Sequence, residues 1–128
     1  MPTPRLRSRS RRAIVVTVLG LALLGGGCGG TDTFRTADAA TEADLRFVIP
    51  AGAGLAADRG EPVEVLPATL DVRVGDVIEI RNDDDRGHLV GPFFVRAGET
   101  LRQRFASAGR YEGACSVHPS GEIAITVR

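Results

Sequence analysis

The stretch from Arg110 to Val127 reads R-Y-E-G-A-C-S-V-H-P-S-G-E-I-A-I-T-V and puts a thiol, Cys115, three residues before an imidazole, His118. Thiolates and neutral imidazoles bind soft and borderline metal ions, and a turn stiffened by Pro119 can aim both side chains at one point. One other histidine exists, His88 in N-D-D-D-R-G-H-L-V, so the chain offers a single set of one Cys and two His. His88 precedes Cys115 by 27 residues, and closing so long a loop is costly unless the fold already holds the two segments side by side. The candidate metal ligands are therefore His88, Cys115 and His118. The bland alternatives are a buried structural thiol for Cys115, a solvent-facing turn residue for His118 and a surface histidine for His88.

The elements that must position these residues are short and β-like. Runs at Leu45–Pro50, Val63–Leu66, Leu70–Val74, Val77–Arg81, His88–Val90, Phe93–Arg96, Thr100–Phe105, Arg110–Cys115 and Glu122–Val127 are separated by turn signals such as Gly75-Asp76, the Asn82-to-Gly87 cluster and Ala97-Gly98. Ile123, Ile125 and Val127 alternate with Ala124, Thr126 and Arg128, the pattern of a half-buried strand. No long helix is expected, and Ala51–Gly60 reads as a Gly- and Ala-rich connection. The pattern predicts an all-β chain, an antiparallel β-sandwich over residues 45–128.

Upstream of that domain the chain changes character. Five arginines precede an uncharged run from Ala13 to Leu24, then Gly25-Gly26-Gly27-Cys28, the order of an export signal over residues 1–27. Cys28 after small residues resembles a bacterial lipobox, with Gly25 where such boxes carry Leu; the resemblance implies lipidation of Cys28 and anchoring at the outer face of the bacterial cell membrane. Residues 28–44 are small and polar and read as the lipidated cysteine with a flexible tether, which would let the domain swing between membrane-bound partners. With Cys28 lipidated, Cys115 has no partner for an intrachain disulfide. The formal net charge is zero, but all sixteen acidic residues follow Cys28 while five of the sixteen basic ones precede it, leaving −5 beyond the leader. That balance argues against a nucleic-acid partner, which needs a basic face.

A His, His, Cys plane completed by a weak axial ligand is the set that binds copper for electron transfer. From Pro67 to Arg128 the chain resembles the cupredoxin family of small blue-copper proteins: P-A-T-L-D-V-R-V-G-D-V-I-E-I-R-N, a turn carrying Asn82, Asp84 and His88, then R-A-G-E-T-L-R-Q-R-F, then A-G-R-Y-E-G-A-C-S-V-H-P with Gly109-Arg110-Tyr111 before the cysteine. The resemblance implies a Greek-key sandwich, one copper ion on His88, Cys115 and His118, and single-electron transfer with a redox partner protein, the domain acting as a monomer. The departure lies at the axial position. The places where the family carries methionine hold Gly121 and Ile123, and the only methionine is Met1. Three outcomes stay open: a three-ligand plane under apolar Ile123, an oxygen from Glu122 or water, or a fold without metal.

Two rivals accompany this reading, a copper carrier or scavenger and a metal-free β-sandwich that binds a ligand or protein. Asp83-Asp84-Asp85 lacks further spaced ligands and reads as a solvated turn rather than a calcium loop. Of Phe93 and Phe94, which point to opposite faces of a strand, one belongs to the core and the other is either an ordinary surface residue or part of an apolar rim for docking a redox partner, and Tyr111 reads as a packed tyrosine of the sandwich. Ser116 and Ser120 flank His118 without a G-x-S-x-G elbow, so no enzyme is expected.

Overall fold

The computed structural model describes residues 32–128, so the expected leader and Cys28 lie outside the described residues. Nine strands and one short helix follow in chain order: β1 (Phe34–Thr36), β2 (Leu45–Ile49), α1 (Ala53–Asp58), β3 (Thr69–Val72), β4 (Val77–Asn82), β5 (His88–Val90), β6 (Phe93–Val95), β7 (Thr100–Phe105), β8 (Gly109–Ala114) and β9 (Glu122–Val127). One sheet has the order β1-β7-β4-β2, a second β3-β9-β8, and β5 and β6 form a separate hairpin. Alternation explains the layering. Ile78 and Ile80 from the first sheet meet Leu70, Val72, Ile123, Ile125 and Val127 from the second in one buried cluster. Among the described residues, no helix is long and apolar enough to cross a membrane.

The sandwich is all-β as the sequence predicts, but it is not antiparallel throughout. β2 runs parallel to β4, and β3 parallel to β9. Between β2 and β4 the chain leaves the first sheet, forms α1 and adds β3 to the second sheet before returning, and a crossover of that length delivers the next strand in the same direction.

Three further expectations give way. Val63–Leu66 is not a strand; it is tied in by Val65, whose N–H donates to the Val117 carbonyl at 3.1 Å. Part of the Gly- and Ala-rich connection is helical. The expected tether contains β1, which pairs with β7 from Phe34 opposite Phe105 to Thr36 opposite Gln103. The Phe34 ring lies edge-on to Phe93 and to Tyr111, each at 5.0 Å between centroids. Behind it Ala37 donates to the Arg102 carbonyl at 3.2 Å, Arg102 bonds to the Thr41 carbonyl and to Glu79, and Asp44 exchanges hydrogen bonds with Val77 at 2.8 and 2.9 Å. Residues 34–44 therefore belong to the folded domain. A three-residue strand with one large apolar side chain has no period to read.

Candidate metal centre

The sandwich closes the 27-residue gap between His88 and Cys115. Val90 pairs with Cys115 in an isolated antiparallel bridge, and the Ser116 N–H donates to the Leu89 carbonyl at 2.9 Å. Alternation then sorts the side chains: His88, Val90, Cys115 and Val117 are buried while Leu89 and Ser116 face outward. The loop after Cys115 is closed by its own amides, Cys115 donating to the Gly121 carbonyl at 2.8 Å and Gly121 to the His118 carbonyl at 2.9 Å. Gly121 sits at φ 75°, a left-handed turn that glycine takes without strain.

His88 is held at both ring nitrogens. Its Nε2 lies 2.7 Å from the Asp84 carboxylate, and its Nδ1 lies 3.0 Å from the Ser116 hydroxyl. Asp84 also accepts the backbone N–H groups of Gly52 and Gly54, both at 2.8 Å. These amides belong to the start of α1, whose first turn has no intrahelical acceptor and no side-chain cap of its own. Asp84 thus caps α1 from 30 residues away in sequence while it orients the imidazole. Burial by itself pushes the Asp84 carboxyl up. The hydrogen bond from His88 and those from the Gly54, Gly52 and Asp85 amides outweigh it, so the group is held well below the usual carboxylate range. An ionised carboxylate can only accept, so Nε2 carries the proton of that hydrogen bond.

Asp84 is the functional residue that sequence reasoning missed. Asp83 and Asp85 are exposed, as a solvated turn requires, but Asp84 between them is 3% exposed. Asn82, fully buried, fixes that turn: its amide donates to the carbonyls of Arg86, Val95 and Arg96 at 2.8, 3.2 and 3.0 Å, and its oxygen accepts the Asp84 N–H at 3.0 Å. The family-like spacing of Asn82, Asp84 and His88 was the only signal for it.

His118 is half-buried and turns toward its own loop. Its Nδ1 accepts the Ser120 N–H at 3.1 Å and lies 2.7 Å from the Ser120 hydroxyl. With Ser116 and Pro119 it lines a cleft of about 270 Å³ whose other wall is Gly60 to Val63. Cys115 is 1% exposed and unbonded to any other sulfur, and burial pushes its thiol up, against a smaller lowering by the Val117 amide. A metal must therefore displace the thiol proton to take the sulfur. Of the axial candidates, Glu122 is exposed at the start of β9, whereas Ile123 is buried where a side chain on Gly91 would touch it.

The donor types, one thiol and two imidazoles, suit copper. Their arrangement is not closed: among the described residues, no group of three His, Cys, Asp or Glu side chains stands close enough together to hold a metal ion. His88 and Cys115 share the buried side of adjacent backbone segments, and His118 remains engaged with Ser120.

Among solved structures the chain is similar to amicyanins and to a purple cupredoxin. Amicyanin from Paracoccus versutus is 16% identical with a TM-score of 0.48, over 76% of this chain and 99% of that one. A reduced Cu(I) form of an amicyanin mutant at pH 4 gives 16% and 0.47, over 76% and 100%. A purple cupredoxin from Nitrosopumilus maritimus gives 23% and 0.41, over 66% and 100%. No protein-family model and no curated protein matches the sequence.

Proposed function

We propose that this chain is an exported, lipid-anchored, cupredoxin-like electron-transfer module, a monomer rather than an enzyme, that binds one copper ion through His88, Cys115 and His118. The observation that carries the reading is the seat of His88. A buried histidine beside the cysteine segment, with Nε2 held by a carboxylate and Nδ1 meeting only a hydroxyl, has the support typical of a metal-ligating imidazole. Copper, when bound, supplies a one-electron couple between Cu(I) and Cu(II). The protein's part is to hold the imidazole orientation, to keep the sulfur out of water and to limit rearrangement between the two states through the amide-closed loop.

The engaged ring nitrogens favour a second reading, a copper carrier, because a site that must open to load also opens to release. Loading with Cu(II) tests both. An intense thiolate-to-copper visible band that is lost in Cys115→Ser, with the β-sheet circular dichroism unchanged, supports electron transfer. A faint band with fast loss to a chelator supports the carrier, and no stoichiometric copper sinks both and leaves a metal-free binding module.

A further inference from the structure

Charge divides between the two ends of the sandwich, and the chain enters at the basic one. Thr33, just before β1, accepts the Ala106 N–H at 3.0 Å, and the neighbouring Phe105 carbonyl accepts the Gly75 N–H at 2.8 Å. Val74 in the same turn donates to the Arg128 carbonyl at 2.9 Å. Around this entry, residues 32–35, 71–76, 104–110 and 128 carry five arginines against three aspartates. Cys115 and its loop stand at the far end of β8, about 20 Å away at roughly 3.3 Å per residue. That end, residues 53–64, 83–87, 96–99 and 115–122, carries eight carboxylates against three arginines.

Three side chains at the entry, Arg35, Arg73 and Arg104, have no carboxylate within ion-pair distance among the described residues. Arg35 and Arg104 moreover lie directly opposite each other on β1 and β7. Like charges so placed destabilise a strand pair, and an anion lying over both would remove that cost. Arg35, Arg73 and the apolar Val74 are exposed, and Arg104 spends one donor on the Gly75 carbonyl at 2.7 Å.

We propose that this end is a membrane-docking surface on which Arg35, Arg73 and Arg104 meet the phosphates of anionic phospholipid, with His88 and Cys115 directed away from the bilayer. The inference rests on the proposed lipid anchor and not on copper. Anchor length and charge choose the occupant. A lipid on Cys28 is separated from β1 only by Gly29 to Thr33, so the basic end stays beside the bilayer. Tethering makes the encounter intramolecular, so a modest attraction suffices. Each arginine near an anionic surface raises the docked-to-free ratio about fivefold, and the same surface repels the acidic end.

The chain contains no tryptophan, so Val74→Trp and Leu55→Trp, both at half-exposed positions, put one indole at the entry and one on α1 at the far end. The exported protein, extracted from membranes, is reconstituted in vesicles of phosphatidylcholine with phosphatidylglycerol, some headgroups carrying a nitroxide quencher. The Val74→Trp indole should be quenched and the Leu55→Trp indole spared. Adding Arg35→Gln and Arg73→Gln to Val74→Trp should lower the docked-to-free ratio about 25-fold, and phosphatidylcholine alone should relieve the quenching too. Equal quenching at the two positions overturns the proposal. So does Val74→Trp quenching that neither the two glutamines nor phosphatidylcholine alone reduces, because the short link then acts without the arginines. Quenching in native membrane fragments but not in lipid vesicles assigns the surface to a membrane protein and overturns it as well. The intact mass separates the two failures. A protein without acyl chains sinks the anchor and the docking together, whereas an acylated protein whose quenching ignores the glutamines sinks the docking alone.

Discussion

Replacing Asp84 by asparagine changes one atom, yet it should be among the most destabilising isosteric substitutions in the domain. Three donors converge on this carboxylate, His88 Nε2 at 2.7 Å and the Gly52 and Gly54 amides at 2.8 Å each, and all arrive at a side chain that is 1% exposed. An asparagine keeps one acceptor oxygen and turns an NH2 group toward the remaining donors. At least one buried N–H is left without a partner, at about 1–3 kcal/mol each, and a charge-assisted pair is lost. Hydrogen bonds to a charged group contribute about 1.5–3 kcal/mol each, so the loss is a large share of the roughly 5–15 kcal/mol that holds a domain together. Urea unfolding of the copper-free protein at pH 7 measures it, with the slope expected to stay unchanged. The sign with pH is fixed by the depressed carboxyl. Its folded-state value lies below the unfolded one of about 3.9, so its contribution is complete above that pH and is lost as the pH falls toward the folded value. The gap between original and variant should therefore narrow below about pH 4. A loss under about 1 kcal/mol at pH 7, or a gap that widens on acidification, refutes the account of Asp84 as a caught and ionised cap.

The thiol of Cys115, buried and pushed up by that burial, should react with iodoacetamide at pH 8 at least about tenfold more slowly than a free peptide thiol, and denaturant should restore the rate; equal rates refute the placement. Phe34→Ala should cost about 2–4 kcal/mol in urea unfolding because it empties the slot between Phe93, Phe105 and Tyr111, whereas a residue in a loose tether would cost nothing. His118→Ala should abolish stoichiometric copper binding while moving unfolding free energy by no more than about 1 kcal/mol, since the ring is half-buried and bonds only to Ser120 within its own loop.

Where a strand buries one face, its side chains announce it. Ile123, Ile125 and Val127 are all buried, and His88–Val90, Thr100–Phe105 and Glu122–Val127 have the expected bounds. Phe93 is buried and Phe94 is 56% exposed, as alternation requires. The illegible parts depend on contacts made far along the chain. Nothing local distinguishes Asp84 from Asp83 and Asp85; two glycine amides, 30 and 32 residues away, decide which of the three is buried. Likewise α1 carries no cap in its own sequence because its cap is Asp84. The parallel pairings of β2 with β4 and β3 with β9 were hidden because a crossover of irregular chain looks like a long loop. At the candidate centre, residue types and spacing were readable, but the serines that occupy both imidazoles depend on side-chain orientation.

The seating of Phe34 shortens the leash. If membrane attachment is through Cys28, as proposed, only the five residues from Gly29 to Thr33 lie between the lipid and the first strand. At about 3.4 Å each they reach at most about 17 Å, less than the breadth of the domain itself. The sandwich would then ride against the headgroups instead of roaming above them, and an electron partner would have to travel to it along the membrane plane.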